Sequence, residues 1–73
     1  MRWNRADKVP NMYSTLVLLC EDGTILFYGE HDGENYVVWS DDIEIWIPTE
    51  KPIIGWMYQA EVRKHLALLP FAE

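Results

Sequence analysis

An Asp-Gly pair between two short apolar runs is the feature that most constrains the fold of this chain. Asp22-Gly23 favours the positive backbone φ angles of a tight hairpin turn. The preceding run, 15–20, and the following run, 24–29, are rich in β-branched, aromatic and leucine residues, which is typical of strands. Strand, tight turn and strand together predict an antiparallel hairpin.

Two further strands and a helix complete the predicted architecture. Strands are expected over 36–40 and 43–48, and the second alternates clearly, so that Ile43, Ile45 and Ile47 would face the core. Glu44 and Trp46 would point to the opposite side. Over 56–69, apolar residues recur at intervals of three and four, which predicts a helix. We therefore expect an α+β, mainly β fold: a four-stranded antiparallel meander with one C-terminal helix packed on it.

The length of 73 residues fits one domain with a small core. We expect an extended N-terminal segment over 1–12, the sheet over 13–52, and the helix and tail over 53–73. Cys20 has no second cysteine to pair with and is predicted to pack as a small hydrophobic residue. Because a small core leaves apolar surface uncovered, the composition is also consistent with a homodimer.

The expected compartment follows from features that the sequence lacks. No apolar stretch reaches the ~20 residues that a membrane-spanning helix needs. The first eight residues lead into no apolar core of signal-peptide type. A small secreted domain would usually carry several disulfide bonds. We therefore predict a soluble protein of the cytoplasm, with no membrane partner.

Acidic residues are concentrated in one block of the chain. Residues 9–50 contain no Lys or Arg, whereas both ends of the chain are mildly basic. The block holds nine acids: Glu21, Asp22, Glu30, Asp32, Glu34, Asp41, Asp42, Glu44 and Glu50. One interpretation is that carboxylates gather in turns because turns are solvated. The other is an acidic surface that steers the protein towards a basic partner or mimics a nucleic-acid backbone.

The predicted meander divides these acids between the two ends of the sheet. The first and third turns would share one end, whereas Glu30, Asp32 and Glu34 would lie about 17–20 Å away at the other. Direct binding of DNA or RNA is disfavoured, because no cluster of bases could neutralise a run of phosphates. We therefore predict a protein partner, a basic or nucleic-acid-binding host protein. The predicted partner-binding residues are Glu21, Asp22, Glu30, Asp32, Glu34, Asp41, Asp42, Glu44 and Trp46.

Trp46 joins that set because four tryptophans are many for so short a chain. Two or three of them are expected in the core. The others are expected on a recognition or self-association surface, where Trp is enriched among the residues that dominate binding energy. Trp46 is the first candidate because it alternates away from the predicted isoleucine face of its strand.

No group of residues forms a recognisable catalytic or cofactor-binding motif. His31 lies in an acidic loop, but the spacing of the neighbouring carboxylates does not match a calcium-binding EF-hand loop. An ordinary hairpin loop is the preferred interpretation there. Ser14, Ser40 and Cys20 lack the surroundings that activate a nucleophile. We therefore predict that the protein is not an enzyme and uses no cofactor or metal.

The order of several landmarks resembles a known family. They are Trp3, Val9-Pro10, Asp22-Gly23, Tyr28, Tyr36, Trp39, and the segment from Ile43 to Pro48 followed by Pro52. Over residues 3–52 this order is similar to that of the domain-of-unknown-function 551 family, small proteins common in phages and prophages. Ile45 stands where the family has His, and the tail over 53–73 lies outside the pattern. The resemblance implies a β-rich domain of phage or prophage origin and implies no activity.

These features predict a small acidic binding protein, encoded by a phage or prophage, that acts on a host or phage protein in the bacterial cytoplasm. Its most specific version is an inhibitor or anti-defence protein whose acidic surface mimics nucleic acid. The alternative is a structural or self-assembling accessory protein that uses Trp46 and the C-terminal helix as an interface.

Overall fold

The computed structural model describes residues 1–72, which form one antiparallel sheet of six strands and one helix. In chain order, the strands are β1 (Asn4–Arg5), β2 (Leu16–Cys20), β3 (Ile25–His31), β4 (Tyr36–Ser40), β5 (Ile45–Pro48) and β6 (Ile53–Tyr58), and the helix is α1 (Gln59–Ala67). Their order across the sheet is β1-β6-β2-β3-β4-β5. The α+β, mainly β class is therefore confirmed, whereas the expected number of four strands was too small.

The meander predicted from the sequence is present as β2 to β5, each strand pairing with the next. Its first turn is the expected Asp-Gly turn: Gly23 has a φ of 89°, and Asp22 Oδ1 accepts a hydrogen bond from the Thr24 N–H at 3.0 Å. Asp32 organises the second turn in the same way, because its Oδ1 accepts from the N–H groups of Glu34 and Asn35 at 2.9 and 2.8 Å. Both turns are therefore fixed by local chemistry that the sequence displays.

The helix expected from residue 56 begins only at Gln59, because the residues before it form β6. This strand pairs with β2 at five positions, from Leu16↔Tyr58 to Cys20↔Ile53, and so lies near the centre of the sheet. Ile53, Trp56 and Tyr58 suit a strand as well as a helix, and their spacing alone did not decide between the two. Pairing with β2 stabilises the extended form.

The fourth predicted strand is shorter than expected and its isoleucines are less buried. β5 starts at Ile45, because Ile43 and Glu44 belong to the preceding turn, where Glu44 has a φ of 54°. Ile43 is 60% exposed and Ile45 is 51% exposed, so the predicted core face of this strand is wrong for both. Only Ile47 is half-buried. β5 lies at the edge of the sheet, where little of the chain covers it.

The main core lies on one face of the sheet, here called the inner face. Leu16, Leu18 and Trp56 form its centre, and each is at most 1% exposed. The N-terminal segment crosses this face and is held by side chains that rise from it. The Trp56 indole Nε1–H donates to the Lys8 carbonyl at 2.7 Å, and the Tyr36 hydroxyl donates to the Ala6 carbonyl at 2.8 Å. The segment thus packs over part of the inner face, and its Pro10 is buried there.

The opposite face, here called the outer face, is covered only at one side. Val17 and Met57 are paired neighbours in β2 and β6, and Val62 of α1 packs on them. Val62 is the one buried residue of α1. The helix therefore covers β6 and β2 but not β3, β4 and β5, which is less cover than the sequence predicts. On the outer face of these three strands Val37 is buried, at 5% exposure, whereas Phe27, Trp39 and Trp46 are exposed. Nine residues long, α1 is also too short to cross a membrane, and no helix in residues 1–72 meets that length.

Candidate functional site

A cluster of exposed aromatic and aliphatic side chains occupies the open part of the outer face. We call it the outer aromatic patch and define it by Ile25, Phe27, Tyr28, Trp39 and Trp46. These residues line an open groove of about 690 Å³, together with parts of Leu26, Val38 and Asp41. Each of the five is between 42% and 66% exposed. Exposed clusters of large apolar residues are typical of interaction surfaces, so this patch is the candidate binding site.

Strand register places Trp39 and Trp46 on this face. Val38 packs against the inner core and is paired with Ile47, so its neighbour Trp39 points outward, and Trp39 is paired with Trp46. The two indole rings make an edge-to-face contact, with centroids 5.7 Å apart and planes at 66°. The two rings thus pack against each other, and more than two-fifths of each residue remains open to solvent.

An irregularity in β3 adds Phe27 and Tyr28 to the patch. The pairing between β2 and β3 shifts from Leu18↔Leu26 to Leu16↔Gly29, so β3 contains one more residue than β2 over this interval. Such a bulge interrupts the alternation of side chains, and both aromatic residues are largely exposed. Gly29 is required directly after the bulge, because a Cβ atom there would overlap the buried Leu18 side chain.

The predicted acidic residues lie at both ends of the sheet, as the meander requires. The turn between β2 and β3 carries Glu21 and Asp22, and the turn between β4 and β5 carries Asp41, Asp42 and Glu44 at the same end. The opposite turn carries Asp32 and Glu34 after Glu30, which belongs to β3. All of these acids are exposed except Glu30, which is half-buried. Only Asp41 directly lines the groove of the outer aromatic patch.

Within residues 1–72, most of this negative charge has no partner of opposite charge. In the described part of the chain, ion pairs join only Lys51 to Asp22, at 2.9 Å, and Arg5 to Asp7, at 3.8 Å. Among the nine acids of residues 9–50, eight therefore remain outside any ion pair between described residues. These carboxylates are therefore not neutralised by a base among residues 1–72.

Local hydrogen bonds set the pKa values of two turn carboxylates. The Thr24 backbone N–H and the Lys51 ammonium lower the pKa of Asp22 to about 2. Backbone N–H groups of Asn35 and Glu34 lower the pKa of Asp32. Both carboxylates are thus ionised well below neutral pH. Partial burial raises the pKa of Glu30.

His31 and Cys20, whose side chains could take part in chemistry, both have structural roles. His31 is buried at the end of β3, where its Nδ1 accepts from the Gly33 N–H at 3.1 Å and its ring contacts Tyr36 edge-on. Cys20 is buried, as expected for a small hydrophobic residue, and burial raises the pKa of its thiol. Within residues 1–72, no three His, Cys, Asp or Glu side chains cluster in a way that could hold a metal ion.

Sequence reasoning identified Trp46 but missed the rest of the patch. The sequence predicts a strand at Trp39, but the place of this residue beside Trp46 depends on the β4–β5 register. Phe27 and Tyr28 are adjacent, and adjacent residues in a regular strand point to opposite faces. Their aromatic character next to Gly29 was the one available signal of a bulge. Trp56 is only 1% exposed and belongs to the core.

Comparison with known proteins adds no family or function to this description. No protein-family model, no curated protein and no solved structure matches the chain. The resemblance to the domain-of-unknown-function 551 family therefore stays a prediction.

Proposed function

We propose that this chain is a small non-enzymatic binding protein that recognises a basic protein partner through the outer aromatic patch and its acidic surroundings. The observation that carries the proposal is the exposure of Trp39, Trp46 and Phe27 on one face of a domain whose core is small. Burying such side chains against a partner would release water from the apolar surface that the fold leaves open.

The composition of the patch matches that of surfaces where few residues supply most of the binding energy. Tryptophan, tyrosine and phenylalanine are enriched at such surfaces, and a polar rim usually surrounds them. Here the rim includes Asp41 in the groove and Asp42 and Glu44 in the same turn. The proposed partner is therefore apolar at its centre and basic at its edge.

The acidic charge supports a basic partner, and its electric field extends well beyond the patch. The sheet carries acids at both ends, so the field extends beyond the patch and attracts a basic protein from a distance. In the most specific form of the proposal, the partner is a nucleic-acid-binding protein of a bacterial host, and the chain competes with the nucleic acid for its basic surface. This most specific form of the proposal also includes a phage or prophage origin for the chain.

A second candidate function is self-assembly, and a separate observation favours it. At the end of α1 and beyond it, Leu66, Leu68, Leu69 and Phe71 are more than half exposed. A second copy of the chain could cover these residues together with Trp46. In that case the protein would be a structural accessory rather than a ligand of another protein.

Affinity capture with matched variants tests the proposal. The immobilised chain is incubated with bacterial lysate at about 50 mM and about 500 mM salt, and retained proteins are identified by mass spectrometry. We expect a basic protein that is retained by the wild type at low salt, lost at high salt and lost from Trp46→Ala. Trp3→Ala is the control, because Trp3 lies beside Gly55 of β6 and outside the patch.

Two results would contradict the proposal. Retention that is equal for wild type and Trp46→Ala would show that the patch is not the binding surface. Retention that is unchanged by salt would show that charge does not steer the association. Light scattering addresses self-assembly, since a monomer at all concentrations rules out the second candidate.

A further inference from the structure

We propose that the outer aromatic patch binds an amphipathic α-helix with a basic rim, supplied by the partner protein. This inference depends on the proposed function and specifies the shape of the partner. It follows from the width of the uncovered face, from the chemistry of the β5 edge and from the distribution of charge.

The open part of the outer face, around the outer aromatic patch, is about as wide as one helix. Strands β3, β4 and β5 are consecutive neighbours, so two inter-strand spacings of about 4.8 Å make the face about 10 Å wide. An α-helix with its side chains is about 10–12 Å in diameter. On the adjoining strands the same sheet already accepts a helix, because Val62 of α1 packs on Val17 and Met57. A second helix beside α1 would complete a layer over the sheet.

The β5 edge, which borders the outer aromatic patch, is poorly suited to the other common mode of recognition, in which a partner adds a strand. The Thr49 N–H donates to the Tyr36 carbonyl at 3.1 Å, and alternation along the β4–β5 ladder then turns the backbone groups of Trp46 and Pro48 outward. Pro48 has no N–H to offer. The Glu44 N–H is bonded to the Ser40 carbonyl at 2.8 Å. Between these residues only Trp46 could form a complete pair with an added strand.

Charge selects a basic helix over an acidic one. Asp41 lines the groove, and Asp42 and Glu44 lie in the same turn. Lys51, the nearest base along the chain, is already paired with Asp22 at 2.9 Å. Lys or Arg side chains at the edge of a bound helix would meet these carboxylates, and they could also contact the open faces of Trp39 and Trp46.

Charge also disfavours a second copy of this chain as the occupant. Each chain has a net charge of −6, so two copies repel each other before their apolar surfaces meet. A partner of opposite charge has no such barrier. Charge therefore favours another protein as the occupant, and a homodimer would be detected by light scattering.

A synthetic peptide of defined composition tests the inference. The probe is an amphipathic peptide of about 18 residues built from Leu and Lys, with Leu spaced for one face of a helix. One control peptide has the same composition with strict Leu-Lys alternation, which favours a strand. Another keeps the helical spacing and replaces Lys by Glu. Binding is followed by tryptophan fluorescence and by calorimetry, and circular dichroism reports the conformation of the bound peptide.

We expect the helical Leu/Lys peptide to bind and become helical, with a blue shift of the fluorescence. The alternating peptide should bind at least about tenfold more weakly, and the Leu/Glu peptide should not bind. Trp46→Ala and Phe27→Ser should each weaken binding by about tenfold or more, so that the test survives if either variant fails to fold. Asp41→Asn with Asp42→Asn should weaken binding more than Asp32→Asn with Glu34→Gln, which removes equal charge from the opposite end of the sheet.

Three results would overturn the inference. Equal binding of the helical and alternating peptides would refute a helical partner, while the capture experiment above could still support the proposed function. Equal effects of the two pairs of acid substitutions would show attraction by net charge rather than by this site. A homodimer that light scattering detects in the wild type and not in Trp46→Ala would assign the patch to a second copy.

Discussion

Replacing Trp56 by Phe tests how the N-terminal segment is attached to the sheet. Trp56 is 1% exposed, and its indole N–H donates to the Lys8 carbonyl at 2.7 Å. Phenylalanine keeps an aromatic ring but removes the donor and part of the buried volume. Loss of the hydrogen bond leaves a part-buried carbonyl without its partner, which costs about 1–3 kcal/mol, and the smaller ring adds about 1 kcal/mol or more through imperfect packing.

The expected loss, about 2–4 kcal/mol, is large for this protein. A domain of 73 residues has a free energy of unfolding of roughly 4–11 kcal/mol. Urea unfolding followed by far-UV circular dichroism measures the loss, and with a slope of about 1 kcal/mol/M the midpoint should fall by about 2–4 M. Limited trypsin digestion should also cut faster after Lys8, because the segment is released from the inner face.

Trp3→Phe is the matched control, because Trp3 is 37% exposed and makes no side-chain hydrogen bond among the described residues. It should shift the midpoint by less than about 0.5 M. If Trp56→Phe shifts the midpoint no more than this control and leaves cleavage after Lys8 unchanged, the N-terminal segment does not cover the inner face as described.

Three further predictions concern the turns and the bulge. Gly29→Ala places a Cβ atom against the Leu18 side chain and should lower the free energy of unfolding by about 1–3 kcal/mol. Thermal unfolding should show a lower midpoint, and an unchanged midpoint contradicts the tight packing. Glu44→Gly should stabilise the protein by about 0.5 kcal/mol, because Glu44 has a φ of 54° that glycine adopts without strain; a loss of stability in urea contradicts this. The pKa of Asp22 is lowered to about 2 in the folded chain. Ionised Asp22 therefore stabilises the fold fully above its unfolded pKa, near 4, and this contribution to stability is lost as the pH falls towards 2. Asp22→Asn, which removes the ion pair with Lys51, should therefore weaken the dependence of urea midpoints on pH between about 4 and 2, and an unchanged dependence refutes the assignment.

The sequence determined the features that depend on neighbouring residues. Asp22-Gly23 specifies its turn by itself, because the glycine adopts a positive φ and the aspartate bonds to the backbone two residues on. The meander from β2 to β5 follows from short turns of this kind, and with it the division of the acidic residues between the two ends of the sheet. The absence of Lys and Arg from residues 9–50 is likewise a property of the sequence alone.

Tertiary structure decided the features that depend on distant residues. The sequence predicts a helix from residue 56, but β6 (Ile53–Tyr58) pairs with β2, more than thirty residues earlier, and residues 56–58 are therefore part of a strand. As a result the helix is too short to cover the outer face. The contact between Trp39 and Trp46 required the β4–β5 register, and the exposure of Phe27 and Tyr28 required a bulge opposite Val17. Neighbouring residues determine the turns and the distribution of charge along the chain. Pairing between distant strands determines which aromatic side chains are exposed.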